Sequence, residues 1–211
     1  MAAGYKLYGR QGSGSLAVQI ALEEAGAPYE CIWIPKDSAE LEKYKKVSPA
    51  GRVPALALPD GTVMLESAAM LIHIAQAHPR AALAPAPGTS SDARFLQWIV
   101  HLSANVYESV LRIYYSARYS TRGEADAAVI RDQAVENYLA YLDFIGRALD
   151  PYVLGADYSL ADPYLYMLVG WHPGEKADLW KRVPKLEAHM ALIGSRPAVQ
   201  KVEAEHAEQL S

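Results

Sequence analysis

The chain has 211 residues, 51% of them hydrophobic and 21% charged, with a net charge of −4. That balance builds one or two globular domains with real cores, and it leaves no basic footprint for nucleic acid. No run of about 18 apolar residues marks a membrane span, and the N-terminus has no apolar signal core, so the expected location is the cytoplasm. A single cysteine, Cys31, excludes an intramolecular disulfide, and its apolar setting reads as an inert core thiol.

In chain order, residues 5–8 read as a strand. The turn Gly9-Arg10-Gln11-Gly12-Ser13-Gly14-Ser15 follows and opens a helix over 15–25. A strand at 29–34 and a helix at 38–46 come next. Two short strands at 54–58 and 62–65 flank Pro59-Asp60-Gly61, a hairpin signal, and a helix covers 67–77. The order β-α-β-α-β-β-α predicts a small mixed sheet whose first two strands are parallel. Residues 79–92, rich in Pro, Gly, Ser and Thr, read as a linker. Beyond it, Phe95, Trp98, Ile99, Leu102, Val106, Val110 and Ile113 keep helical spacing, as do Ile130, Ala134, Tyr138, Leu142, Ile145 and Leu149. Further helices are predicted near Ala161 and after Pro184 and Pro197. The division expected is 1–80, a linker 81–91, and an all-helical 92–211.

Three motifs carry candidate chemistry. Val53-Pro54 enters a strand, where a proline removes one ladder donor. It is either an ordinary trans proline in a loop or a cis turn that presents the Val53 backbone to a peptide-like ligand. Glu66-Ser67 precedes an apolar helix, with Ser67 at the expected N-cap. That position suits a ligand carboxylate, and Glu66 suits an ammonium group. Ser159-Leu160-Ala161-Asp162 is a capping box, a folding signal with no chemistry assigned.

The opening turn also fits G-x-G-x-x-A after a strand, the dinucleotide fingerprint. The short unit that follows, the hairpin and the helical remainder oppose a second βαβ half. A P-loop is excluded because no Gly-Lys-Ser/Thr follows the glycines. The six histidines show no metal spacing, so no metal is expected.

Taken together, 12–26, 48–75, 159–168 and 182–202 resemble the cytosolic glutathione S-transferases, a bacterial, beta-like member. The resemblance implies a thioredoxin-like N-terminal domain, an all-helical C-terminal domain, a homodimer, glutathione as co-substrate and a small hydrophobic electrophile as its partner. It assigns the Val53 backbone to the cysteinyl unit of glutathione, Pro54 to the family's cis-proline, and Glu66 and Ser67 to the γ-glutamyl end. It also sets Lys36 near the glycyl carboxylate. Where the beta-type pattern has cysteine before Ser-Leu-Ala, this chain has Gly14. Gly9 replaces the family tyrosine at the end of the first strand, and Tyr107-Glu108 replaces a His-Lys pair.

Ser13 and Ser15 remain as candidate hydrogen-bond donors to the sulfur, and the sequence does not separate them. A helix start and a hydroxyl both favour thiolate. Tyr107, Tyr114 and Tyr115 are candidates to line the electrophile's pocket or to pack a core. The expected activity is glutathione transfer to an alkyl or aryl electrophile. The alternative is a non-catalytic binding or regulatory dimer of the same fold.

Overall fold

The computed structural model describes residues 4–36 and 38–209. These fall into two compact units. One holds the described residues up to Ala84 together with those from Ser195 onward; the other is Pro85–Gly194.

The first unit is built on a four-stranded sheet, order β2-β1-β3-β4, with β1 Tyr5–Gly9, β2 Tyr29–Trp33, β3 Ala55–Ala57 and β4 Val63–Leu65. Along β1, Tyr5, Leu7 and Gly9 are buried while Lys6 is exposed, the two-residue period of a strand. β1 and β2 are parallel and joined by helix α1, Ser15–Glu24. β3 runs antiparallel to both β1 and β4. The β3–β4 turn closes as expected of Asp-Gly. The Asp60 carboxylate accepts the Thr62 N–H at 2.8 Å, and Gly61 takes φ 90°. Helix α2, Ala39–Tyr44, starts at Ser38, whose hydroxyl accepts the Leu41 N–H at 3.1 Å. Helix α3 covers Ser67–Ala77. Leu7, Val18, Leu22, Leu56, Met70 and Ile74 form the buried core of this unit. The expected βαβαββα order is therefore borne out.

The C-terminal helix, Pro197–Glu208, packs on α1 within the first unit, although the expected division put all of 92–211 in the helical half. Polar anchoring explains the difference. Gln19 of α1 is fully buried, and its amide donates to Glu205 at 2.6 Å. His206 donates to the Gln19 carbonyl oxygen at 2.9 Å, and Arg196 forks onto Glu24 at 2.6 and 2.8 Å.

The second unit is helical. Helix α4, Ser90–His101, is capped by Thr89, which accepts the Asp92 N–H at 3.1 Å. The expected continuous helix through Ile113 is instead broken by a π-helical turn, Leu102–Tyr107, before α5, Glu108–Tyr114. α6 runs Ala127–Ala148 and α7 Ala161–Gly170. α8, Lys176–Arg182, has no counterpart among the expected helices, and α9 is Pro184–Gly194. The capping box behaves as a folding signal. Asp162, fully buried, accepts the N–H of Ser159 and of Val153, both at 2.8 Å, and His189 at 3.0 Å.

Candidate functional site

Strand register gathers the motifs of the first unit at one end of the sheet. Tyr8 pairs with Ala55 and Ala55 with Leu65. One step further along each strand, Gly9-Arg10 comes beside Pro54-Val53, and Pro54 comes beside Glu66. On the other side Gly9 pairs with Trp33, and the Ile34 N–H donates to the Gly9 carbonyl at 2.9 Å. The Ser13–Ser15 turn, Val53-Pro54, Glu66-Ser67 and the loop carrying Lys36 therefore share one rim.

Val53-Pro54 is cis, in line with the resemblance. The turn before it is tied down from α2. Tyr44 donates its hydroxyl to the Arg52 carbonyl at 2.7 Å, and Ser48 donates to the same oxygen at 3.0 Å. Tyr8, Leu41 and Val53 pack around the buried Ile34, Tyr44 and Ala55. Rigid packing of this kind fixes where the Val53 backbone points.

Ser67 does not cap α3 as expected; it is the first helical residue, and Glu66 holds the cap position. The chain turns sharply at Glu66, φ 73° and ψ 107°, and its carbonyl accepts the Met70 N–H at 3.1 Å. A side-chain-bearing residue rarely takes that backbone, and doing so costs about 1–3 kcal/mol. The turn leaves the Glu66 side chain exposed and Ser67 buried at the start of a helix. The first N–H groups of such a helix have no acceptor within it.

The two serines of the opening turn part company. Ser15 is fully buried. Its hydroxyl donates to the Arg10 carbonyl at 3.0 Å and accepts the Arg10 N–H at 3.2 Å. It stitches the turn, and its hydroxyl has no exposed surface. Ser13 is half-buried; its hydroxyl donates to the same carbonyl at 2.6 Å, lies 2.9 Å from the Ser15 hydroxyl, and accepts the Ser15 N–H at 3.3 Å. Because Ser15 also serves the Arg10 carbonyl, Ser13 can turn its proton outward without leaving that oxygen unpaired. Packing explains Gly9 as well. A Cβ there would lie 2.9 Å from the Cβ and hydroxyl of Ser15, so this turn has no room for the family tyrosine.

Arg10 is the rim residue that motif reading missed. Its main chain holds both serines, and its Nε donates to the Ile34 carbonyl at 2.7 Å. No spacing rule singles out one arginine in a turn. Lys36 lies exposed two residues beyond Ile34.

In the helical unit, Tyr107 packs its ring against Trp171 at 5.5 Å and Tyr164 at 6.4 Å between centroids. Tyr114, 52% exposed, donates its hydroxyl to the Trp171 carbonyl at 2.9 Å. Trp171 thus joins two of the three candidate tyrosines, and it was not among them. Tyr115 stands apart, with the Arg118 guanidinium 4.2 Å over its ring.

A cleft of about 540 Å³ opens elsewhere in the first unit, lined by Tyr29, Cys31, Lys201 and Glu205 among others. Its polar groups are spent on one another. Tyr29 donates to Glu23 at 2.6 Å, Gln19 donates to Glu205, and burial pushes the Cys31 thiol up to about 12. A thiol held neutral makes a poor nucleophile, so the rim, where the motifs converge, is the better candidate site. Among the described residues no group of three or more His, Cys, Asp and Glu side chains could hold a metal, and no helix is long and apolar enough to cross a membrane.

Residues 14–77 match the model of the glutathione S-transferase N-terminal domain, and 104–206 match that of the C-terminal domain. The glutathione S-transferase GstA of Escherichia coli O157:H7 is 27% identical, over 92% of this chain and 95% of its own. A glutathione transferase homolog from Sulfitobacter, solved with bound glutathione, superposes with a TM-score of 0.86 at 30% identity, covering 96% of this chain and 98% of that one. A sphingomonad glutathione S-transferase, complexed with glutathione, gives 0.77 at 30% identity, with 96% and 98% covered.

Proposed function

Because the chain belongs to the glutathione S-transferase family, we propose that it binds glutathione at the sheet rim and activates its thiol for attack on a small hydrophobic electrophile. The observation that carries this reading is the strand register, which sets a hydroxylated turn, a cis Val53-Pro54 and a strained Glu66-Ser67 side by side. Glutathione carries complementary groups in the same order. Its ammonium goes to Glu66. Its γ-glutamyl carboxylate goes to the start of α3 at Ser67, where N–H groups and the helix dipole favour an anion. Its cysteinyl unit pairs with the backbone of Val53 as a short added strand.

The sulfur then lies at the start of α1, beside Ser13. A free thiol ionises near pH 8.5. The Ser13 hydroxyl donates to the thiolate, and α1 adds the positive end of its dipole, so more nucleophile exists at neutral pH. With an aryl halide, a sulfur–carbon bond forms, halide leaves with the bonding pair, and the thiol proton passes to solvent. Gly14 cannot form a mixed disulfide, so the serine acts as donor and the nucleophile is glutathione itself. The working unit is a homodimer in the cytoplasm. Val63 and Leu65, 41% and 43% exposed on the outer strand β4, fit a buried subunit contact.

Calorimetric titration with glutathione and a halide-release assay test this reading. Millimolar or tighter binding together with turnover is expected, and no binding at millimolar glutathione refutes it. One observation favours a second reading, glutathione binding without turnover: both serine hydroxyls already bond the Arg10 carbonyl. Saturable binding with no product from halide, peroxide or mixed-disulfide substrates would select it.

A further inference from the structure

We infer that Tyr44 and Ser48 are positioning residues for glutathione: together they fix the peptide plane that offers the Val53 N–H to its cysteinyl carbonyl. This rests on the reading that glutathione occupies the rim. A trans peptide is planar, and its C=O and N–H point in opposite directions. The Arg52 carbonyl and the Val53 N–H belong to one such plane, since the cis bond lies one residue later, at Val53-Pro54. Whatever holds the oxygen therefore aims the N–H the other way.

The oxygen is held twice. Tyr44, the last residue of α2, donates to it at 2.7 Å, and Ser48 donates at 3.0 Å. A carbonyl has two lone pairs, so both are filled. Both donors are buried, which turns the oxygen toward the protein interior. On the opposite edge of the plane, the Val53 N–H has no acceptor among the described residues. Two hydroxyls are thus spent on one oxygen while the N–H behind it stays open to a ligand. Neither hydroxyl is free to drift. The Tyr8 ring lies 5.4 Å from that of Tyr44, and Leu41, Ile34 and Ala55 belong to the same cluster. The Ser48 carbonyl accepts the Gly51 N–H at 2.8 Å, closing a turn in which Gly51 takes φ 62°. Burial raises the pKa of Tyr44, so the phenol keeps its proton and stays a donor through the neutral range. A plane set in advance spares the backbone freedom that a loose loop would lose on binding. Tyr44 and Ser48 act through Val53 and touch no ligand atom themselves.

The test is calorimetry with glutathione on Tyr44→Phe, Ser48→Ala and the double variant. Each single variant leaves one hydroxyl on the oxygen and should keep Kd within about twofold of the parent. The double variant frees the plane and should weaken binding about 5- to 10-fold, the value of one neutral hydrogen bond, which exceeds the product of the single effects. The pH at which the bound thiol ionises should stay where it is, because Ser13 and the start of α1 are untouched. A double variant that unfolds at lower urea yet binds as the parent does would reduce both hydroxyls to core anchors and overturn the inference. A loss of affinity that comes with a shifted thiol ionisation would overturn it too, since the damage would then reach the thiol turn. A parent that fails to bind glutathione removes the functional reading and this one together, whereas a binding parent with an equally binding double variant removes this one alone. Should the double variant not fold, a crystal structure of the unaltered protein with glutathione decides. Both hydroxyls on the Arg52 carbonyl, with the Val53 nitrogen within about 3.2 Å of the cysteinyl carbonyl, support the assignment, and a peptide plane turned away from either ends it.

Discussion

Glu66 combines backbone strain with a candidate binding role, and two substitutions separate them. At φ 73° and ψ 107° any residue with a Cβ bears a cost of about 1–3 kcal/mol. Glu66→Ala keeps that cost and removes the carboxylate. Glu66→Gly removes both, at an entropic cost of about 0.5–1 kcal/mol in the more flexible unfolded chain. Glycine should therefore be more stable than alanine here by about 0.5–2 kcal/mol, the reverse of their order inside a helix. Urea denaturation gives the global difference. Amide exchange at Met70, whose N–H bonds the Glu66 carbonyl at 3.1 Å, gives the local one. The two variants should lose glutathione affinity by the same factor. Because Glu66 is exposed, that factor is small, about two- to fivefold for a solvated ion pair. An alanine variant as stable as the glycine variant would show that Glu66 bears no strain. A glycine variant with full affinity would remove its carboxylate from the site.

Four further outcomes are expected. Ser13→Ala should lower aryl halide turnover about 10- to 100-fold, the value of one hydrogen bond to a charged group, and should raise the pH at which the bound thiol ionises. Ser15→Ala should instead cost about 1–3 kcal/mol of stability, because the Arg10 N–H loses its acceptor; pH–rate profiles and denaturation curves that reverse these assignments refute them. His206 is buried, and burial lowers its pKa from 6.5 to about 4. From pH 6.5 down to about 4 the unfolded chain therefore binds a proton that the folded chain refuses. The fold should lose up to about 3 kcal/mol across that window and no more from this group below it, and His206→Gln should flatten the curve. Gly9→Ala would place a Cβ 2.9 Å from Ser15. It should destabilise by about 1–3 kcal/mol, as overpacking does, and denaturation with no loss would show that the turn has slack.

The parts of the fold legible in the sequence were those whose signals are local. The hairpin at Asp60-Gly61 and the box at Ser159–Asp162 each close within four residues, so spacing alone finds them. The seating of the last helix is not local. It depends on Gln19 meeting Glu205 and His206, partners 186 and 187 positions away, and hydrophobic periodicity says nothing about which unit a helix will join. The π-helical turn at 102–107 was invisible for a related reason: one residue is gained without interrupting the apolar spacing. Helix α8 is seven residues long with no side-chain cap, too short for its period to register.

The site divides along the same line. Val53-Pro54 and Glu66-Ser67 could be read as motifs, but their adjacency is a property of register, and register was not in the motifs. Ser13 and Ser15 are chemically identical candidates two residues apart; burial, complete at Ser15 and partial at Ser13, is what separates them. The two departures from the family pattern then have one physical origin. With no cysteine at Gly14, the turn depends on hydroxyls, and seating the second hydroxyl against Arg10 takes the space beside Gly9 that a tyrosine side chain would need. Restoring the family tyrosine by Gly9→Tyr alone should therefore displace Ser15 before it could reach a thiol, and should unfold the turn without rescuing an acid–base group.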